Sequence, residues 1–163
     1  MIRYTTIPSP IGPLLLAADD THLRVVEFEA SSHPVRRGAD WQPGRNAVID
    51  AAQAQLAEYF AGERRDFDLP LNPVGTDFQR QVWWALADIP YGRTISYAEL
   101  ANQVGKPSAT RAVGAANGRN PLPIVLPCHR VIGANGSLTG YGGGLPIKTF
   151  LLNLERALPA ALL

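Results

Sequence analysis

Residues 95–121 read ISYAELANQVGKPSATRAVGAANGRNP, and this stretch decides the fold of the C-terminal half. A helix is predicted over residues 96–104, and the Gly-Lys-Pro run at 105–107 ends it. Ser108 is placed to cap a second helix, which continues through about Asn117. Two short helices around a glycine-containing turn are typical of a helix-turn-helix. Such pairs also occur in ordinary protein cores, so the pattern alone leaves DNA binding open.

The second helix of this pair has an unusual composition, because Arg111 is almost its only large side chain. A helix that reads bases in the major groove needs Asn, Gln, Arg or Lys side chains that reach base edges. Small side chains instead let the helix backbone approach closely, as a narrow minor groove requires, and a single arginine can then enter the base stack. The alternative is that the small residues pack against another helix and that Arg111 is a solvated charge.

Further along the chain, the run Pro-Cys-His-Arg-Val at 127–131 places the single cysteine, Cys128, beside His129. The thiolate is the reactive form of cysteine, and a nearby imidazole can take the thiol proton. Neighbouring residues on a strand point to opposite faces, so contact between these two side chains requires a turn or a bridging water. The alternative is a buried and inert cysteine.

The N-terminal third is predicted as a small sheet with one helix on it. Strand-forming residues occur at 1–7, 14–18 and 23–28, separated by turn residues and polar corners. Residues 34–44 are polar and are predicted to be irregular. Apolar residues recur near helical spacing over residues 46–61, which predicts an amphipathic helix.

Residues 63–75 are the predicted linker, with charged residues first and then two prolines and a glycine. They divide the chain into a sheet-plus-helix domain at 1–74 and a mainly helical domain at 75–163. The remaining predicted elements are a helix at 76–89 capped by Thr76, an apolar run at 122–126, a hairpin at 131–139 around Asn135-Gly136, and a last helix at 146–156. The fold class is therefore α/β, of the α+β kind.

The composition excludes several classes of protein. Among 163 residues, 46% are hydrophobic and 18% are charged, a balance that argues against a disordered tail, a fibre or a membrane protein. No secretory signal is visible, and no apolar run approaches the roughly 18 residues of a spanning helix. One cysteine cannot form an internal disulfide or a Cys-rich zinc cluster, and a free thiol is typical of the reducing cytoplasm.

The net charge of +1 conceals an asymmetry between the two halves. Residues 1–75 carry 7 Lys and Arg against 10 Asp and Glu, whereas residues 76–163 carry 8 against 4. The C-terminal half is therefore basic and could meet a polyanion, although so small an excess also arises by chance.

The residues around Cys128 resemble the active-site motif of the O6-alkylguanine-DNA alkyltransferases, of bacterial type. The likeness extends over about residues 76–156. The segments that carry it are Ile89-Pro90-Tyr91-Gly92, Ser96-Tyr97, Ala109 to Gly114, Asn120-Pro121, Pro123-Ile124, Tyr141 to Leu145, and Glu155. The N-terminal third is only loosely similar, through Ser9-Pro10-Ile11-Gly12.

This resemblance implies a reaction that moves an alkyl group from O6 of guanine to the sulfur of Cys128, once per molecule and without a cofactor. It implies that His129 is the base, acting through a water, and that Glu155 holds the other imidazole nitrogen. Tyr97 would protonate the leaving guanine, and Asn120 would tie the DNA-binding helix to the active-site segment. These residues form the predicted catalytic set.

The resemblance further implies double-stranded DNA containing O6-alkylguanine as the partner, bound from the minor groove. The target nucleotide is extruded from the duplex, and Arg111 takes its place in the stack. The implied DNA-binding residues are Ser96, Tyr97, Ala109, Thr110, Arg111, Ala112 and Asn117, and the implied guanine pocket consists of Pro123, Val131, Tyr141, Gly142 and Gly143. A monomer in the cytoplasm is expected, without a membrane partner or a metal.

Two positions depart from the pattern of some family members. Gly142 stands where some of them have a serine, and Asn117 replaces a larger apolar residue. We therefore hypothesise a roomier pocket that accepts adducts larger than methyl.

Three other classes of protein are alternatives to this resemblance. Alkyltransferase-like binding proteins replace the acceptor cysteine, typically with tryptophan, so Cys128 argues against them. Helix-turn-helix transcription factors need a polar recognition helix, which this sequence lacks. A thiol peroxidase or a cysteine protease would leave the helix pair and Arg111 unexplained.

Overall fold

The N-terminal half contains a four-stranded sheet in the computed structural model, which describes residues 1–136 and 141–157. The strands are β1 (Ile2–Ile7), β2 (Leu14–Ala18), β3 (Leu23–Phe28) and β4 (Trp41–Pro43). Their order is β3-β2-β1-β4, with β1, β2 and β3 antiparallel and β4 parallel to β1. The three strands predicted from the sequence are confirmed.

Strand β4 was not predicted, since residues 34–44 were expected to be irregular throughout. It is only three residues long and pairs with the distant β1, from Ile2 opposite Trp41 to Tyr4 opposite Pro43. A short parallel edge strand that ends in a proline has no alternating pattern of its own. The prediction was wrong here because the partner strand, and not the local sequence, creates the element.

Helix α1 (Ala47–Phe60) lies against this sheet. Asn46 caps the helix by accepting from the Ile49 amide at 2.9 Å, and its own amide group donates to the carbonyl of Ala18 at 3.2 Å. The cap therefore also fixes the helix to the end of β2. The buried face consists of Val48, Ile49, Ala52, Leu56 and Tyr59. This face brings Tyr59 toward the C-terminal half.

The predicted linker is docked against the sheet. Leu23 at the start of β3 donates its amide to the carbonyl of Pro70 at 2.7 Å and accepts from the amide of Asn72 at 2.9 Å. Beyond this contact, one hydrophobic core includes buried side chains of both halves, among them Phe28 and Leu151. The division at residue 74 stays a prediction, but the two halves pack as one body.

The C-terminal half is mainly helical. Its elements are α2 (Asp77–Leu86), β5 (Ile95–Ser96), α3 (Tyr97–Gln103), α4 (Thr110–Gly118), a 3-10 turn (Cys128–Arg130), β6 (Val131–Ile132) and α5 (Leu145–Leu154). Thr76 and Ser96 each form a capping box with the residue three positions later, Gln79 and Glu99. Helices α3 and α4 are the predicted pair, and α4 also packs against α2. The architecture confirms the predicted fold class.

Two details of this half differ from the prediction. The cap of α4 is Ala109 without a side-chain hydrogen bond, so the assignment of Ser108 as cap was wrong. The turn is closed by the backbone instead, since the Ala109 amide donates to the Lys106 carbonyl at 2.9 Å. Helix α2 ends at Leu86, three residues before the predicted Ile89, in a turn that leads to the proline at position 90.

The predicted hairpin at 131–139 is described only in part. Its first strand, β6, pairs in parallel with β5, with Val131 opposite Ile95. A turn follows, in which the Gly136 amide donates to the Gly133 carbonyl at 2.9 Å. Residues 137–139, which would form the second strand, lie outside the described residues. Over residues 1–136 and 141–157, no helix has the length and apolarity that crossing a membrane requires.

Candidate active site

A buried carboxylate, imidazole and guanidinium meet where the 3-10 turn packs against the end of α5. Glu155 Oε2 lies 2.7 Å from Nε2 of His129 and 3.1 Å from a terminal nitrogen of Arg130, while Oε1 lies 2.8 Å from Arg130 Nε. Arg130 also donates to the carbonyl of Ile89 at 2.6 Å. All three side chains are excluded from solvent. The structure thus places the carboxylate of Glu155 against one imidazole nitrogen of His129, as the resemblance implied.

This arrangement fixes the protonation of the imidazole. Burial favours the neutral form of Glu155, but the hydrogen bonds and charges of His129 and Arg130 outweigh it and lower the carboxyl pKa to about 2. An ionised carboxylate only accepts hydrogen bonds, so Nε2 of His129 carries the hydrogen. Nδ1 then has a free lone pair, and it is buried without a hydrogen-bond partner among the described residues. Because burial also lowers the pKa of His129, the ring is neutral and able to accept a proton.

Cys128 is a buried thiol with 5% of its surface exposed. Burial raises the pKa of this thiol, although the side chains of Asn120 and Tyr141 and the charge of Lys148 act in the opposite direction. The thiol is therefore protonated near neutral pH, and a base has to remove its proton before the sulfur can attack. The adjacent His129 offers a lone pair for that purpose.

The segment before Cys128 is tightly turned. Asn120 donates to the carbonyl of Leu126 at 2.7 Å and accepts from the amide of Leu122 at 3.0 Å, which ties the end of α4 to the chain that leads to the thiol. Ile124 has a φ of 74°, a left-handed conformation that is strained for a β-branched residue. Such strain is often found at functional sites, where the surrounding structure enforces it.

A small cavity of about 30 Å³ opens beside Cys128. Of the residues predicted to form the guanine pocket, Pro123, Tyr141, Gly142 and Gly143 line it. Val131 does not, but its carbonyl accepts from Lys148 Nζ at 2.7 Å. Gly143 has to be glycine, because a Cβ atom there would lie 2.6 Å from the ring of Phe28.

A wider groove of about 590 Å³ connects this pocket with the surface of α4. The groove shares Tyr141, Gly142 and Asn117 with the pocket, and it reaches Tyr97 and Thr110 on the helix pair. The groove therefore leads to the thiol from the α4 side.

The outer face of α4 presents the predicted small surface. Arg111 and Ala112 are exposed, and Ala109 and Thr110 are partly exposed at the start of the helix. Ser96 uses its hydroxyl to cap α3, where it accepts from the amide of Glu99 at 3.0 Å.

Asn117 lies on the inner side of α4, where it lines both the pocket and the groove. Only 4% of its surface is exposed, and its amide group approaches the carbonyl of Cys128 at 3.4 Å. Its side chain therefore belongs to the wall between the pocket and α4, and its place in the DNA-binding set stays a prediction.

Sequence reasoning missed two residues of the site. Lys148 is fully buried on α5, its Nζ lies 6.0 Å from the ring centres of Tyr97 and Tyr141, and burial lowers its pKa to about 8. Tyr59 on α1 donates its hydroxyl to Glu155 Oε2 at 2.6 Å. Neither residue could be found from a motif, because each occupies an apolar position in the pattern of its helix. Their contacts, from Tyr59 to Glu155 and from Lys148 to Val131, join separate elements of the fold.

The N-terminal half also touches the pocket directly. The amide of Ser32 donates to the carbonyl of Gly142 at 2.9 Å, and its hydroxyl donates to the same oxygen at 3.2 Å. The rings of Phe28 and Tyr141 lie 5.8 Å apart. The loop after β3 therefore holds one wall of the pocket in place.

Comparisons with known proteins identify the family of this chain. Residues 77–157 match a family model described as the DNA binding domain of 6-O-methylguanine DNA methyltransferase, and residues 2–73 match its ribonuclease-like domain. A methylated-DNA–protein-cysteine methyltransferase of Methanosarcina acetivorans is 51% identical, over 93% of this chain and 97% of that protein. The protein of the same name from Mycobacterium tuberculosis is 54% identical, over 96% of this chain and 94% of that protein.

The solved structures agree as well. A crystal structure of Mycobacterium tuberculosis OGT in complex with DNA superimposes with a TM-score of 0.88 at 50% sequence identity, over 98% of this chain and 97% of that chain. The fold and the buried thiol site thus define a class of DNA-binding methyltransferases with a reactive cysteine. This chain belongs to the 6-O-methylguanine DNA methyltransferase family.

Proposed function

We propose that this protein repairs O6-alkylguanine in double-stranded DNA by transferring the alkyl group to Cys128. The observation that carries the proposal is the buried thiol of Cys128, followed in the chain by His129, whose Nε2 is held by the ionised Glu155 and whose Nδ1 is buried without a partner among the described residues. Such a site can generate a thiolate only at the moment of reaction. It offers no second cysteine that could remove the alkyl group afterwards.

In the proposed reaction, Nδ1 of His129 takes the thiol proton through a water. The sulfur then forms a bond with the alkyl carbon while the bond between that carbon and O6 breaks. Guanine leaves with the electron pair of the broken bond and needs a proton on its ring. The hydroxyl of Tyr97 is the proposed donor, since Tyr97 lines the groove that leads to Cys128. The product is a thioether, and each molecule reacts once without a cofactor.

The proposed mode of DNA binding places α4 against the minor groove. Its outer face carries small exposed residues, including Ala112 and Ala115, together with the exposed Arg111. This surface lets the helix backbone come close to the groove floor, and the basic C-terminal half favours phosphate contacts. The target nucleotide would be extruded into the groove beside Tyr141.

The protein is further proposed to act as a monomer in the cytoplasm. A single reactive thiol is compatible with a reducing compartment, which supports the cytoplasmic location.

Mass spectrometry after incubation with O6-methylguanine duplex DNA tests the proposal. We expect the peptide that contains Cys128 to gain the mass of one methyl group minus one hydrogen, with one methyl group per protein molecule and no further turnover. An unmodified peptide, or repeated turnovers by one protein molecule, would refute the assignment.

A second expected result concerns the size of the alkyl group. The pocket is open toward the larger groove at Gly142, where a Cβ atom would lie 3.3 Å from the carbonyl of Gly118 and 3.9 Å from Ser32 Oγ. We expect the wild-type protein to react with O6-benzylguanine, and Gly142→Ala to slow that reaction about tenfold while O6-methylguanine is slowed less. Rates of inactivation by the two compounds decide this. Near-total exclusion of the benzyl compound by the wild-type protein would contradict a roomy pocket.

A further inference from the structure

The carboxylate of Glu155 receives hydrogen bonds from both halves of the protein. Oε2 accepts from His129 at 2.7 Å, from Arg130 at 3.1 Å and from the hydroxyl of Tyr59 at 2.6 Å. The first two donors belong to the active-site turn, whereas Tyr59 lies near the end of α1 in the N-terminal half. The N-terminal half therefore reaches the base of the proposed reaction through one hydroxyl group.

The ring of Tyr59 is held rigidly. It is completely buried, and it packs against Phe60 and Phe67 with ring centres 5.5 Å away in each case, and against Tyr91 at 6.3 Å. A phenylalanine would satisfy this packing equally well. The hydroxyl is thus not needed for packing of the core. A buried hydroxyl without a partner is costly, and here the partner is the carboxylate of Glu155.

Tyr59 and His129 share the same carboxylate oxygen, and this has two consequences. The hydroxyl fixes the position of Oε2, so the carboxylate cannot rotate away from the imidazole. It also takes up part of the negative charge, which would otherwise stabilise the imidazolium form of His129 more strongly. The first effect keeps the hydrogen on Nε2 and the lone pair on Nδ1, and the second keeps His129 neutral.

The surroundings of this group are mostly cationic or aromatic. Among the described residues, the titratable and charged groups that face Glu155 and His129 are Tyr59, Tyr91, Cys128, Arg130, Tyr141 and Lys148. Within this set, Tyr59 is the neutral donor that bonds to the carboxylate. Its own pKa is raised by burial and by Glu155, so the hydroxyl keeps its proton.

We propose that Tyr59 is a positioning residue for alkyl transfer, whose hydroxyl holds Glu155 Oε2 against Nε2 of His129 and keeps His129 in the form that can take the Cys128 proton. The inference rests on the proposed function of Cys128 and His129. It assigns to the N-terminal half a part in the chemistry, in addition to its contact with the pocket wall.

The variant Tyr59→Phe tests this assignment, because it removes only the hydroxyl. In a protein labelled with 15N-histidine, we expect NMR titration to show a higher pKa for His129 than in the wild type. The rate of methyl transfer from O6-methylguanine duplex DNA should fall about tenfold near pH 6, and the loss should shrink toward about pH 8, where His129 is neutral again.

The matched control is Tyr91→Phe. Tyr91 belongs to the same aromatic cluster, but its hydroxyl approaches the backbone carbonyl of Leu154 at 3.4 Å and makes no hydrogen bond to Glu155. We expect this variant to leave the His129 titration and the pH dependence of the rate unchanged. An equal shift in both variants would overturn the proposal.

A second variant controls for a folding defect, and it is expected to change the pKa of His129 in the opposite direction. Site-specific 3-fluorotyrosine at position 59 makes the hydroxyl a stronger donor and preserves the packing, so the pKa of His129 should fall. If neither variant changes the His129 titration, Tyr59 is only structural. The titration requires no alkylated DNA, so it can fail or succeed independently of the proposed function.

Discussion

Cys128→Ser is expected to abolish methyl transfer completely while the protein still binds O6-methylguanine DNA. A serine hydroxyl holds its proton far more strongly than a thiol, and His129 has no means of ionising it near neutral pH. Oxygen is also a much weaker nucleophile toward an alkyl carbon than a thiolate. The serine side chain is slightly smaller than cysteine, so it fits the buried site without displacing Asn120 or Tyr141.

Two measurements on this variant separate chemistry from binding. Mass spectrometry of the peptide that contains residue 128 should show no transferred methyl group, even after long incubation with excess DNA. Fluorescence anisotropy with the same duplex should give an affinity close to that of the wild-type protein, because the buried Cys128 lies below the proposed DNA-binding surface. Methyl transfer to any other residue would show that Cys128 is not the acceptor.

The sequence was sufficient for the local parts of the site. The turn that carries Cys128, His129 and Arg130 is one contiguous motif, and the caps Thr76 and Ser96 follow from side-chain chemistry within four residues. The same holds for the small outer face of α4, since helical periodicity alone orients its residues. The place of Asn117 in the DNA-binding set stays a prediction, and its burial makes it part of the pocket wall as well.

Contacts between distant segments were beyond the reach of the sequence. Strand β1 pairs with β4 and β5 pairs with β6, and both pairings join residues far apart in the chain. Strands β5 and β6 are each only two residues long. The bond between Tyr59 and Glu155 spans 96 positions. Such contacts depend on how the whole core packs, which no local pattern of apolar residues specifies.

Arg111→Ala is expected to slow repair of duplex DNA about 100-fold while the reaction with free O6-benzylguanine stays unchanged. Arg111 is exposed in the first turn of α4, between small residues that allow the helix to approach the groove. In the proposed complex, its side chain fills the gap that the extruded nucleotide leaves. Without it, restacking of the target base competes with entry into the pocket, and base extrusion costs a few kcal/mol.

Arg119→Ala is the matched control, since Arg119 is an exposed arginine at the opposite end of the same helix. Both variants remove one positive charge and should weaken binding to DNA by a similar, salt-dependent amount. Only Arg111→Ala should show a large gap between the rate on duplex DNA and the rate on the free base, measured as single-turnover rates at saturating protein. Since the free base needs no extrusion, equal losses on the two substrates would show that Arg111 acts on the pocket or on folding and not on the extruded nucleotide.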